Sequence, residues 1–142
     1  MKALLGSMCV LAMFFTFTAV SLAKEAVLVT ERGLTYKDLR VGTGAAADVG
    51  RIAVIHFTGW IDNNGKRGDK FFNSRDEGKP VAFKTGTDMV IEGWNIGVVG
   101  MKIGGRRRLM VPSELGYGAA GVADIIPPNT DLIYDIELIE IR

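Results

Sequence analysis

The sequence predicts an α+β domain built from one mostly antiparallel sheet and one short helix. Several short segments alternate apolar and polar residues, which is the period of a half-buried strand. The links between several of these segments are too short for the crossover that parallel strands need. One stretch repeats its apolar residues at helical spacing. A chain of 142 residues has room for one compact domain and hardly a second.

The predicted strands follow one another along the chain. Residues 26–30 are apolar and residues 34–41 loosely alternate, so a first strand or pair of strands precedes the turn-rich segment 42–44. Residues 51–61 are too apolar for a strand with one exposed face, and we expect a central strand that is covered on both sides. Residues 62–68, rich in Asp, Asn and Gly, predict a hairpin-like loop. Further strands are expected over residues 81–83, 106–111 and 132–139.

One helix interrupts the strands. Its apolar stripe consists of Val90, Ile91, Trp94 and Val98. These positions, i, i+1, i+4 and i+8, cover about two helical turns. Glycines at positions 93, 97 and 100 each weaken a helix by roughly 1 kcal/mol relative to alanine. A helix that tolerates them is expected to pack its backbone closely against the sheet.

The N-terminal segment, residues 1–23, predicts a signal peptide. Met1-Lys2 is a short positive region, residues 3–23 carry no charge, and Ser21-Leu22-Ala23 supplies the small residues of a cleavage site. The competing interpretation is an uncleaved membrane anchor, because this uncharged stretch approaches the roughly 20 residues that span a bilayer. Its Thr, Ser and Gly residues dilute the apolar run and favour cleavage, so we expect an exported protein, periplasmic or secreted.

The composition excludes several classes of function. A net charge of +1, from 17 basic and 16 acidic residues, provides no broad basic field for nucleic acid. One His and one Cys cannot form a Cys/His zinc site, and we expect no metal and no cofactor. Because Cys9 lies inside the predicted signal peptide, the exported domain has no disulfide and depends on its core for stability.

A glycine-rich motif at residues 116–121 matches the G-x-G-x-x-G spacing of a dinucleotide-binding turn. That fingerprint requires a long helix opening at its last glycine, inside a βαβ unit. Pro127-Pro128 follows within a few residues, and no βαβ unit surrounds the motif. We therefore do not expect a nucleotide site.

Two other clusters have structural explanations. The arginines at 106–108 alternate between the two faces of a strand, so they cannot form one basic patch, and we expect a solvated strand edge. His56 with Ser74 or Ser113 has the residue types of a base and a nucleophile. However, His56 lies in an apolar strand and neither serine sits in a G-x-S-x-G turn, so a packing histidine is expected.

A more specific signal comes from short blocks spread over most of the chain. The blocks, with x for a position that carries no match, are His56-Phe57-Thr58-Gly59, Lys70-Phe71, Ser74-Arg75-Asp76, Val90-Ile91-x-Gly93-Trp94, Gly97-Val98-x-Gly100-Met101, Pro112-Ser113-Glu114-Leu115-Gly116-Tyr117-Gly118, Ile126-Pro127-Pro128 and Leu132-Ile133-Tyr134-Asp135-Ile136-Glu137-Leu138. In this order they resemble the FKBP-type peptidyl-prolyl cis-trans isomerases. The resemblance divides the chain into the signal peptide, a lead-in over residues 24–33 and an isomerase domain over residues 34–142.

The resemblance implies a twisted, mostly antiparallel sheet wrapped around one short helix, with a ligand pocket between them. In this family the indole on the helix forms the pocket floor, which assigns that role to Trp94. The backbone N–H of Ile91 and the hydroxyl of Tyr117 are implied as hydrogen-bond donors to a bound proline, and residues 118–121 as a flap. The implied catalytic residues are Phe57, Phe71, Ile91, Trp94, Tyr117 and Tyr134, and the implied substrate-binding residues are Val90, Ile126, Phe72, Val81 and Val122.

The implied function is acceleration of X–Pro bond rotation in exported polypeptides, through a desolvating apolar and aromatic pocket and with no covalent intermediate. The implied partners are proline-containing polypeptides and macrolide immunophilin ligands, with no nucleic acid and, after cleavage, no membrane. About ten residues separate the cleavage site from the first matching strand, too few for the long N-terminal dimerisation helix of some exported relatives. A monomer is therefore expected.

The sequence departs from the family pattern at several positions. In an ungapped alignment Phe72 replaces the usual pocket Asp, whereas sliding by one residue would put Asn73 there. Val81 stands where a pocket Phe is common, Val122 stands where the flap often has His, and the loop at 62–70 is longer than in the smallest members. The missing Asp admits an alternative function, a non-catalytic or chaperone-like module that binds proline-containing segments. Family chaperones often carry a domain inserted in the flap, and the short flap here favours the simple enzyme.

Overall fold

Seven strands, one α-helix and one 3-10 helix form the described part of a computed structural model, which comprises residues 27–30 and 32–142. The predicted signal peptide and most of the lead-in lie outside the described residues. The elements are β1 (Leu28–Val29), β2 (Thr35–Arg40), β3 (Ile52–Asn63), β4 (Lys66–Asn73), β5 (Val81–Lys84), α1 (Glu92–Val98), β6 (Arg106–Val111), the 3-10 helix Ser113–Leu115 and β7 (Leu132–Ile141).

All the strands belong to one twisted sheet in the order β1-β2-β6-β7-β3-β4, with β5 paired to β3 as well. Every pairing is antiparallel. The predicted α+β class and antiparallel sheet are therefore confirmed. The helix α1 packs against the core face of this sheet.

Strand β3 is the central strand that its apolar sequence predicts. It pairs with β7 from Ala53 to Ile61, and along its other side it pairs first with β5 and then with β4. Ala53, Val54 and Ile55 are buried. Both of its edges carry hydrogen-bonded neighbours, but consecutive buried residues are confined to positions 53–55 and most of the strand is partly exposed. The expected coverage of both faces therefore holds only for the first part of β3.

A tight hairpin joins β3 to β4. Its two loop residues, Asn64 and Gly65, have positive φ values of 53° and 82°, the conformation of a two-residue hairpin turn. The Gly65 N–H donates a 2.6 Å hydrogen bond to Asp62 Oδ1. The predicted hairpin is confirmed, but most of the expected loop is strand, because cross-strand pairing with β3 makes a strand of β4 despite its polar sequence.

The helix lies very close to the sheet. A Cβ atom added at Gly93 would lie 2.6 Å from Val111 Cγ1, and one added at Gly97 would lie 2.5 Å from Leu109 Cδ1. Such distances are well inside the roughly 3.5 Å of normal carbon–carbon contact. The glycines that weaken α1 as an isolated helix are thus the residues that let it approach β6, as predicted.

The expectation of a solvated strand edge at the arginines of β6 is wrong, because β6 lies between β2 and β7. Arg107 is buried and donates a 2.7 Å hydrogen bond to Asp38 Oδ1 and another to the Gly97 carbonyl. Its guanidinium carbon lies over the ring of Tyr36, 4.2 Å from the ring centroid. Arg108 makes two hydrogen bonds to Asp135, of 2.6 and 2.8 Å. The partner carboxylates lie on neighbouring strands that are distant in sequence.

His56 has a hydrogen-bond partner, and its packing role stays a prediction. Its Nδ1 lies 2.8 Å from the hydroxyl of Ser74, and that hydroxyl accepts a 2.9 Å hydrogen bond from the Phe57 N–H. Within the described residues, no three His, Cys, Asp or Glu side chains are grouped as a metal site requires. None of the helices formed by those same residues is long and apolar enough to span a bilayer.

Candidate functional site

A cavity of about 200 Å³ opens between α1, the sheet and the segment that follows the 3-10 helix. Six aromatic rings and three aliphatic side chains line it, and none of the nine carries a charge. The lining residues are Phe57, Phe71, Phe72, Trp94, Tyr117, Val122, Ile125, Ile126 and Tyr134. An apolar cavity of this size suits a proline ring and the bonds on either side of it.

Trp94 is the helical residue of this cavity, and it is buried. Its ring meets Phe57 edge-on at 4.6 Å and Tyr134 edge-on at 5.3 Å between centroids, and Phe83 lies on another side at 5.7 Å. Edge-to-face pairs of this kind hold aromatic rings in fixed orientations. The indole N–H finds no hydrogen-bond partner among the described residues.

An irregularity in β4 brings two successive phenylalanines to the cavity. Gly59 pairs with Phe72, whereas the next residue of β3, Trp60, pairs with Lys70, so Phe71 is the extra residue of a β-bulge. Regular alternation would point Phe71 and Phe72 to opposite faces. Phe71 instead meets Tyr134 edge-on at 5.8 Å, and Phe72 stacks on Phe57 at 4.9 Å.

Tyr134 of β7 closes the buried side of the cavity. Burial raises the pKa of its hydroxyl above the ordinary value, and the neighbouring Tyr117 hydroxyl raises that pKa further. Tyr134 therefore stays protonated and uncharged at physiological pH. Tyr117 is more exposed and also lines the cavity, and its hydroxyl is hydrogen-bonded to that of Tyr134.

The segment after the 3-10 helix forms the side of the cavity opposite the sheet. The Gly118 N–H donates to the Ser113 carbonyl and the Asn129 N–H donates to the Gly118 carbonyl, each at 2.8 Å. Val122 and Ile126 exchange backbone hydrogen bonds of 2.8 and 3.1 Å. These bonds give the predicted flap a defined conformation and turn both side chains towards the cavity.

The structure brings eight of the eleven predicted site residues around this one cavity: Phe57, Phe71, Phe72, Trp94, Tyr117, Val122, Ile126 and Tyr134. Val81, Val90 and Ile91 pack against the core, partly buried, and are not among the lining residues. Ile125 also lines the cavity, although it is not among the site residues that the sequence predicts. Its position beside Ile126 was the available signal. The individual roles of all these residues stay predictions.

Comparison with known proteins gives one consistent result. The model of the family described as FKBP-type peptidyl-prolyl cis-trans isomerase matches residues 44–139. An FK506-binding protein of Neisseria meningitidis serogroup B is 43% identical over 109 residues, which are 77% of this chain and 96% of that protein.

Two crystal structures are similar over most of the chain. FkpA from Escherichia coli superimposes with a TM-score of 0.74 and 35% identity, covering 84% of this chain and 53% of that one. A peptidyl-prolyl cis-trans isomerase from Pseudomonas syringae superimposes with a TM-score of 0.71 and 33% identity, covering 84% of this chain and 83% of that one.

Proposed function

The chain belongs to the FKBP-type peptidyl-prolyl cis-trans isomerases, and we propose that it accelerates X–Pro bond rotation in exported polypeptides by desolvating the proline in its aromatic cavity. The observation that carries this proposal is the uncharged lining of six rings and three aliphatic side chains. No lining residue is a nucleophile of the Ser or Cys type, so the proposed mechanism involves no covalent intermediate.

The physical basis is the electronic structure of the imide bond. Resonance in the planar X–Pro bond creates a rotation barrier of roughly 18–20 kcal/mol, and the uncatalysed reaction takes tens to hundreds of seconds. The twisted transition state has lost this resonance and its charge separation. A dry apolar cavity therefore favours the transition state relative to the planar ground state, which is the condition for catalysis.

Two donors orient the bound peptide in this proposal. The Tyr117 hydroxyl lies at the cavity mouth. The Ile91 N–H precedes α1 and makes no hydrogen bond to any of the residues 27–30 and 32–142, so it is available to a ligand. By the family resemblance, both groups donate to carbonyl oxygens of the bound peptide and hold the proline ring against Trp94.

The experiment is a cis-to-trans isomerisation assay on a short X–Pro peptide with the purified protein and two matched variants. Truncating a buried Trp to Ala costs about 3–5 kcal/mol, which is a large part of a domain's stability, so Trp94→Phe is the better probe. The control is Trp60→Phe. Trp60 lies in β3 but does not line the cavity, and the guanidinium of Arg67 lies over its ring, 5.0 Å from the ring centroid.

We expect Trp94→Phe to lower kcat/KM about tenfold, corresponding to roughly 1.4 kcal/mol of transition-state binding. Trp60→Phe should retain the parent activity. Equal activity of the two variants would contradict the cavity mechanism. A folded parent that binds the peptide without accelerating its isomerisation would instead support the non-catalytic binding module.

Two further parts of the proposal concern ligands and location. The Neisseria relative is named an FK506-binding protein, and we propose that this cavity also binds such a macrolide, which should then inhibit isomerisation competitively.

The proposal that the protein is exported rests on the predicted signal peptide. Expression in a bacterium followed by N-terminal sequencing should give a first residue of Lys24, and retention of Met1 would support the membrane anchor instead.

A further inference from the structure

We infer that Phe72 is a specificity-determining residue that selects substrates with an aromatic side chain immediately before the proline. This inference rests on the proposed isomerase function and adds to it a substrate class. It follows from three features of the cavity mouth: the bulge that presents Phe72, the stack that holds its ring, and the uncharged surface around it.

The bulge turns Phe72 towards the site. Because Phe71 is the extra residue of β4, both rings reach the cavity, Phe71 deep against Tyr134 and Phe72 at the mouth. Phe72 is opposite Gly59, which has no side chain to cover it. The ring is therefore presented to an incoming peptide and not enclosed by its own strand pair.

Stacking fixes the orientation of the ring. Phe72 lies nearly parallel to Phe57, with 4.9 Å between centroids and 15° between planes. Phe57 is itself held edge-on by the buried Trp94. The three rings form a continuous series from the core to the surface, and at its outer end Phe72 remains 37% exposed.

The surroundings of Phe72 are apolar and open. Tyr117 is 41% exposed and Ile125 is 56% exposed, and both line the same cavity. No charged side chain is part of this lining. A charged residue of the substrate would lose water here without gaining an ion-pair partner, whereas an aromatic residue would cover exposed apolar surface.

X is the substrate residue inferred to meet Phe72. With the proline ring in the cavity, the X–Pro bond would lie at the mouth and the side chain of X would reach the rim. An aromatic X can then pack against Phe72 and extend the series of rings by one. Favourable geometry between aromatic rings, beyond their buried area, corresponds to roughly a two- to tenfold gain in binding.

The test compares peptides that differ only in X, with Phe, cyclohexylalanine, Ala or Glu at that position. Cyclohexylalanine has nearly the shape and apolar surface of Phe without its π system. The first variant, Phe72→Leu, keeps an apolar side chain but removes the ring. The control is Ile139→Ala, because Ile139 is 39% exposed, similar to Phe72, and does not line the cavity. A further peptide carries Phe after the proline.

We expect the parent and Ile139→Ala to prefer X = Phe over cyclohexylalanine by roughly two- to tenfold in kcat/KM, and Phe72→Leu to lose this preference. An unchanged preference in Phe72→Leu, no preference in the parent, or an aromatic preference confined to the residue after the proline would overturn the inference.

Failure of the proposed function gives a different result, namely a parent that is inactive on every peptide. The same peptides are then compared by dissociation constant. A Phe preference in binding that disappears in Phe72→Leu would still support the aromatic selection. Equal or undetectable binding of all peptides would overturn it.

Discussion

Gly59 is the position at which the smallest change should disturb the cavity most. It pairs with Phe72 on one side and with Tyr134 on the other. A Cβ atom added there would lie 2.5 Å from Phe71 Cζ and 2.9 Å from Tyr134 Cε1. Both distances are shorter than the roughly 3.5–4.0 Å at which carbon atoms attract each other.

The magnitude follows from which ring can move. Tyr134 is buried among Trp94, Phe57 and Phe71, so its ring is confined, whereas Phe71 is only partly buried and must shift by about 1 Å. Overpacking of this kind costs about 1–3 kcal/mol. Replacing a glycine without left-handed φ gains about 0.4–1 kcal/mol through the unfolded chain. Gly59→Ala should therefore lower the free energy of unfolding by about 1–2 kcal/mol.

Urea unfolding and the isomerisation assay measure the two consequences. With an m-value of about 2 kcal/mol/M, the middle of the usual range, the midpoint should fall by roughly 0.5–1 M while m stays constant. Displacing Phe71 from the cavity wall should also lower kcat/KM severalfold. Phe71→Leu removes the atoms that the new methyl would meet, so the double variant should show a coupling energy above about 0.5 kcal/mol.

A Gly59→Ala variant as stable as the parent, or more stable by the amount expected from chain entropy alone, would contradict the predicted clash with Phe71. Additivity of Gly59→Ala and Phe71→Leu would equally contradict a direct contact between the two positions. A stable variant with lower activity would show that the rings rearrange at little energetic cost.

Two further predictions concern groups around the sheet. Burial raises the pKa of Tyr134, so above pH 10 the folded chain keeps the hydroxyl proton whereas the unfolded chain loses it. Above pH 10 the free energy of unfolding of the parent should therefore fall by up to about 1.4 kcal/mol per pH unit more than that of Tyr134→Phe. Urea unfolding at pH 9 and 11 measures this difference, and equal slopes for both proteins would exclude it. Asp135→Asn should cost about 1–3 kcal/mol, because it removes the negative charge that faces the mostly buried Arg108 and one of the two oxygens that accept its hydrogen bonds. Glu140→Gln at the exposed pair with Arg142 should have almost no effect, and equal effects of these two substitutions would contradict the role of burial.

Much of the fold was predictable because strands and helices have local periods. Alternation located β6 and β7, the apolar run 51–61 located the central β3, and the spacing of Val90, Ile91, Trp94 and Val98 located α1. The strand β4 was not predictable in the same way. Its sequence, Lys66–Asn73, is mostly polar, and it is a strand because it pairs with β3 across a two-residue turn.

Eight of the nine cavity-lining residues were predictable from the order of short family-like blocks, and the family resemblance is confirmed by the match over residues 44–139. The geometry of the site was not predictable. The bulge at Phe71 arises from a shift in the pairing register against β3, and no local sequence pattern predicts it. Because of this bulge, Phe71 and Phe72 reach the same cavity. The sequence also did not predict that Val81, Val90 and Ile91 would lie outside the cavity lining.

Most strands, the helix with its close-packing glycines and the family of the chain could be read from the sequence, because each depends on residues near one another in sequence or on their order. The partners of Arg107 and Arg108, the burial of Tyr134 and the stacking of Phe72 on Phe57 follow from the folded arrangement. These contacts depend on strand register and join side chains from segments that are distant in sequence. Because the free energy of packing is shared among residues of several segments, no single stretch of sequence specifies them.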